Sequence, residues 1–96
     1  MAMDIGVVEA CVEKLHGIFD RTDLEIEAAK IQQKLAEARY NPGDVGPLAD
    51  CIFSLLLAAR SQGHKPGIVL DALGEISASN MEKHWKKMPD GTYQAI

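Results

Sequence analysis

The chain has 96 residues, enough for one domain, with 10 Lys+Arg against 14 Asp+Glu and a formal net charge of −4. An apolar share of 47% at that modest charge excludes a disordered chain, and the acidic balance argues against a nucleic-acid partner, which needs a basic face to neutralise phosphates. No apolar run approaches the roughly 20 residues of a membrane span, and the start Met1-Ala2-Met3-Asp4-Ile5-Gly6 lacks the basic and apolar stretches of a secretory signal, so a cytoplasmic protein without a membrane partner is expected.

The period along the chain is helical. Ile5, Val8, Cys11, Val12, Leu15 and Phe19 recur at steps of three and four and predict a first helix over about 4–19. Asp20-Arg21-Thr22 breaks it. Thr22 reads as an N-cap, with Glu25 completing a capping box. The second helix follows over about 23–39, its buried face carried by Leu24, Ala28, Ile31, Leu35 and Ala38, with Glu25, Lys30, Gln33, Lys34 and Glu37 mostly toward water. Tyr40-Asn41-Pro42-Gly43-Asp44 is a stop and turn.

A third helix is expected over about 46–62, with Pro47 tolerable only in its first turn. From Leu48 to Ala59 it is apolar on nearly every side, as befits a helix buried all round or lying in a subunit interface. Gly63 reads as its C-cap residue, and Pro66 opens a fourth helix over about 66–85. Val69, Leu73 and Ile76 form the core stripe of that helix, which steps on to Asn80 and Lys83. Beyond Trp85, the Asp90-Gly91 pair signals a turn, in a short hairpin or an extended tail. The expected fold is all-α, a single four-helix bundle over 1–96. A bundle this small with so apolar a third helix implies completion of the core by a homodimer or homotetramer. Cys11 and Cys51 fall inside apolar helical patterns, as free thiols do, and have no zinc-ligand spacing.

Polar residues within apolar stripes are the candidates for chemistry. Asp50 lies in an otherwise apolar helix, where a carboxylate pairs with a cation on another helix, ligates a metal, or escapes to the surface near the helix start. Glu27 borders the stripe of the second helix. It is an ordinary surface glutamate, or it meets a carboxylate of the next helix to hold Mg²⁺ through oxygen. Asn80 and Lys83 share a helix face and either hold phosphate oxygens or mark where the stripe leaves the core. His16, His64 and His84 have no metal spacing and read as surface or loop residues.

Leu48-Ala49-Asp50 opening an apolar helix, Ala58-Ala59-Arg60-Ser61-Gln62-Gly63, the string Ser79-Asn80-Met81-Glu82-Lys83 and then Asp90-Gly91 together resemble the MazG-like all-α nucleotide pyrophosphohydrolases, relatives of phosphoribosyl-ATP pyrophosphohydrolase and dimeric dUTPase. The likeness runs from about Leu24 to Tyr93 and is greatest to a phage and bacterial subgroup. It implies a MazG-like helical fold and Mg²⁺-dependent (or Mn²⁺-dependent) cleavage of a nucleoside triphosphate to monophosphate and pyrophosphate. It places Glu27 in the family's E-E-x-x-E motif and Asp50 at the end of its E-x-x-D motif, both as metal-binding and catalytic residues. Lys30, Asn80 and Lys83 would then be substrate-binding. The motifs are reduced here: Ile26, Lys30 and Pro47 stand where carboxylates belong. Lys30 could instead pair with Asp50, or the register could shift by a turn so that Glu25 or Asp44 stands in. The other implied reading is a catalytically decayed relative, a nucleotide-binding or protein-interaction module.

Overall fold

A computed structural model describes residues 3–19 and 21–96. Met1 and Ala2 of the chain start and Asp20 of the first break lie outside the described residues. Four helices are followed by two short strands: α1 (Ile5–Ile18), α2 (Leu24–Tyr40), α3 (Gly46–Ser61), α4 (Pro66–Glu82), β1 (Trp85–Lys87) and β2 (Tyr93–Ala95). The mostly helical fold and the C-terminal hairpin agree with the sequence.

Local chemistry sets the boundaries. Asp4 caps α1, its carboxylate accepting from the Gly6 amide at 2.9 Å. The cap of α2 is Asp23, not Thr22: its carboxylate accepts from the Ile26 amide at 2.8 Å. Pro47 sits in the first turn of α3 and Pro66 in that of α4, where a missing N–H costs nothing. At the end of α3 the His64 amide donates to the Ala59 carbonyl and the Gly63 amide to that of Arg60. This is the Schellman arrangement, and it requires the positive φ of 91° found at Gly63. The fourth helix is shorter than expected. It ends at Glu82, because Trp85 is already in a strand, antiparallel to Ala95. A turn over Met88-Pro89-Asp90-Gly91 closes the hairpin, with the Gly91 amide donating to the Met88 carbonyl at 2.9 Å and a positive φ of 90° at Gly91.

Packing is uneven. Among the described residues the α2–α3 pair is the most extensive contact between elements, while α4 touches α1 and α3 alone. The core is Val12, Leu56 and Leu57, ringed by Val8, Leu15, Phe53 and Val69. An ion pair from Arg60 Nε to Glu13 Oε1 at 2.8 Å ties α3 to α1. The third helix is not buried all round. Its Cys51, Ser54, Leu57 and Ala58 face inward, but Leu48, Ile52 and Leu55 form an exposed stripe. Leu73 and Ile76, expected in the core, are also exposed.

Candidate functional site

The expected buried face of α2 is rotated. Ala28, Ile31 and Ala38 turn inward as expected, but Leu24 and Leu35 are partly exposed, and Glu27 and Lys34 take inward places in the series Glu27, Ile31, Lys34, Ala38. Steps of four, three and four keep them on one face. Two polar groups therefore lie in the seam between α2 and α3.

Glu27 is the deeper of the two, at 3% exposure, and is no surface glutamate. The shift of the cap from Thr22 to Asp23 leaves the Thr22 hydroxyl free, and it donates to Glu27 Oε2 at 2.7 Å. The other carboxylate oxygen, Oε1, is buried and has no hydrogen-bond partner. A buried acceptor without a donor costs about 1–3 kcal/mol, more when it carries charge. That oxygen is an acceptor that a donor or a cation could satisfy.

One turn along, the Cys51 thiol donates to the Ile31 carbonyl at 3.7 Å, which fixes the register of α3 against α2. Lys34 comes next. Its Nζ lies 3.5 Å from Asp50 Oδ2 and 3.3 Å from Glu37 Oε2. Asp50 is therefore not buried, its side chain being 56% exposed. It is paired with a cation of another helix and also near the surface, so two of its expected environments hold together. The partner is Lys34, expected to face water, and not Lys30, which is exposed. The two carboxylates hold the Lys34 ammonium above its usual pKa, Glu37 contributing most and Asp50 next.

The structure thus brings Lys34 and Asp50 together and sets Glu27 further along the same seam. Seven residues separate Glu27 from Lys34, about 10 Å along the helix axis. Asn80 and Lys83 do not join them. Both are exposed at the end of α4, which among the described residues makes no contact with α2. Lys83 instead places its ammonium 5.9 Å from the Trp85 ring centroid. His64 and His84 are exposed as expected. His16 is half-buried, with Nδ1 buried and without a partner, but α1 makes no contact with α2 among the described residues.

Among the described residues no three His, Cys, Asp or Glu side chains converge as a metal cage would require. A cation at Glu27 would have one free buried protein oxygen. Water and phosphate oxygens would have to supply the rest, which suits Mg²⁺ better than a metal needing a full protein shell. Sequence reasoning missed Thr22 and Lys34 as members of the seam. The signal for Lys34 was its seven-residue spacing from Glu27, which puts both on one face. No helix among the described residues is long and apolar enough to cross a membrane. No protein-family model, curated protein or solved structure matches the chain.

Proposed function

We propose that the chain is a cytoplasmic nucleoside triphosphate pyrophosphohydrolase-like protein of MazG-like fold, with its polar centre in the α2–α3 seam. The single observation that carries this reading is the free, buried Oε1 of Glu27. A carboxylate kept dry, with one oxygen fixed by Thr22 and the other open, is poised for a cation that arrives with a phosphate ligand. Glu27 would hold and orient that cation, with Thr22 fixing the carboxylate. When bound, Mg²⁺ would supply charge for the phosphates and an activated water. Asp50 and Lys34 form an ion pair further along the seam, where Asp50 would be the second metal-binding carboxylate and Lys34 would meet a phosphate oxygen. Lys30, Asn80 and Lys83 remain as further phosphate contacts, the last two brought in by another copy of the chain.

The test is pyrophosphate release from canonical and modified nucleoside triphosphates with Mg²⁺ or Mn²⁺, and with chelator as control. Metal-dependent release is expected, abolished in Glu27→Gln and in Asp50→Ala while both stay folded. Unchanged turnover in the Asp50 variant would sink the assignment.

The Lys34–Asp50 ion pair favours a second reading, because it already satisfies the carboxylate that the metal would need. On that reading the protein is a decayed relative that binds a nucleotide or a protein without turnover. Nucleotide binding by calorimetry in chelator, with no pyrophosphate from any substrate, selects it.

A further inference from the structure

The formal net charge of −4 is an average over two unlike parts of the chain. Residues 1–82 hold seven Lys+Arg against thirteen Asp+Glu, whereas residues 83–96 hold three lysines against one aspartate. All three fall in the run Lys83-His84-Trp85-Lys86-Lys87, with Tyr93 following across the turn. The acidic balance argues against a nucleic-acid partner for the helical body. It does not speak for a segregated basic segment, which is the electrostatic footprint of a polyanion site.

The fold isolates this segment. From Asp71 to Glu82 every residue of α4 is exposed, and this arm carries the hairpin beyond the packed part of the bundle. Among the described residues β1 and β2 meet each other and no helix, and all six strand residues are exposed. A two-stranded hairpin with neither face covered is marginal in water. Its aromatic rings are not spent on a core of their own, since Trp85 is 45% and Tyr93 62% exposed.

The register decides which side chains share a face. Trp85 pairs with Ala95, Lys86 with Gln94 and Lys87 with Tyr93. Directly opposed residues point the same way and side chains alternate along a strand, so Trp85, Lys87, Tyr93 and Ala95 occupy one face, and Lys86 the other. Trp85 and Tyr93 are diagonal neighbours on that face, about 7 Å apart. Lys87 lies directly across from Tyr93, and the Lys83 ammonium is 5.9 Å from the Trp85 ring centroid. Each exposed ring thus has an ammonium at its side.

That pairing selects among anionic partners. An acidic peptide would use the lysines and leave both rings to water. A duplex keeps its bases stacked on one another and closed to the rings. An unpaired strand uses everything, because each base offers a π-face to a ring and each phosphate an anion to a lysine. We infer that this hairpin face binds single-stranded nucleic acid without sequence preference. Two bases stack on Trp85 and Tyr93, the phosphates beside them meet Lys83 and Lys87, and Lys86 adds attraction from the opposite face. The surface needs none of Glu27, Lys34 and Asp50, so it does not rest on the enzymatic reading.

Trp85 is the chain's one tryptophan, and its emission reports on the face directly. A labelled oligothymidylate titrated with the full chain at low salt should gain anisotropy while Trp85 emission is quenched. Added salt should weaken binding with a log–log slope of about −2, the value for three phosphates of a single strand. Trp85→Ala should weaken binding by about 10-fold or more, read by anisotropy. Lys86→Gln combined with Lys87→Gln keeps both rings and should reduce the slope to about −0.7. An unshifted Trp85 emission maximum in that variant shows that its hairpin is intact. Lys14→Gln, on α1, should change nothing. No binding at about 100 µM protein in low salt, the weak end of non-specific affinity, overturns the proposal. So does equal binding of polyglutamate, which would make the face a dock for an acidic protein, or of a duplex of the same length. Displacement of the strand by an equal concentration of a free nucleoside triphosphate overturns it too, because the face would then be a mononucleotide site.

Discussion

The α2–α3 seam and the α4 arm are helices of nearly equal length with opposite fates. The seam folds on itself. Cys51 of α3 meets Ile31 of α2 through a sulfur–carbonyl contact that fixes the register, and even the charged members Lys34 and Asp50 are matched across it. The arm carries apolar residues at similar spacing, Val69, Leu73 and Ile76, yet from Asp71 to Glu82 every residue is exposed. Periodicity therefore marks a face that must be covered, and it does not say by what. In one helix the cover is intramolecular; in the other the described residues supply none.

Substitutions in the two regions should differ first in size and then in concentration dependence. Leu57, 1% exposed, sits in the core beside Val12 and Leu56. Leu57→Ala should cost about 3 kcal/mol through lost burial and the cavity left behind, and denaturant unfolding should show the same loss at every protein concentration, provided the slope is unchanged. Leu73→Ala, at a side chain already 55% exposed, should cost less, and if another copy covers the arm the loss should grow as the protein is concentrated. Equal, concentration-independent losses would erase the distinction between the regions.

Glu27 is the place where the seam is imperfect. Glu27→Gln keeps an acceptor for Thr22 and removes a buried charge, so the unliganded protein should gain about 1 kcal/mol by thermal or chemical unfolding. Pyrophosphate release, where present, should vanish in the same variant. Stability gained as activity is lost identifies a group strained for function. A loss of stability would mean that Oε1 has a donor in solution. At the joint between the regions, Gly63→Ala should cost about 1 kcal/mol, because a Cβ disfavours the positive φ that ends α3.

Helix order, the proline and glycine punctuation and the hairpin could be read from the sequence, because they rest on local chemistry. Pro47, Gly63, Pro66 and Asp90-Gly91 each act on their own turn. The face of α2 could not. Apolar residues vote for a face one by one, and Leu24 and Leu35 voted for a stripe that the structure turns partly outward. Glu27 and Lys34 gave no vote, since a charged side chain reads as solvated until its partner is known, and Asp50 lies 16 residues beyond Lys34. The cap was misplaced for a related reason. Thr22 and Asp23 are both good caps, and the choice depends on where the Thr22 hydroxyl finds an acceptor, namely Glu27. As for the site, Glu27 and Asp50 were legible as polar intrusions, whereas Asn80 and Lys83 lie exposed at the end of α4, which among the described residues does not meet α2.

The smallest effect separates the regions by pH. In the helical body, the Arg60 guanidinium hydrogen-bonded to Glu13 holds that carboxyl below its ordinary value of 4.5, and the Ile26 amide holds Asp23 below 3.8. In the hairpin, Asp90 Oδ1 accepts from the Thr92 hydroxyl at 2.6 Å and from its amide at 2.9 Å, which likewise holds Asp90 below 3.8. A carboxyl depressed in the folded state binds its proton less readily there than in the unfolded chain. Its stabilisation is therefore present above the unfolded value and lost as pH falls through the folded one. Both regions should loosen below about pH 4, but separately. Trp85, the chain's one tryptophan, lies in β1 and reports on the hairpin by fluorescence, while circular dichroism reports on the helices. Asp90→Asn should flatten the acid transition in Trp85 emission and leave the helical one in place, and Glu13→Gln should do the reverse. If the two signals moved together in both variants, the hairpin would be docked onto the helical body.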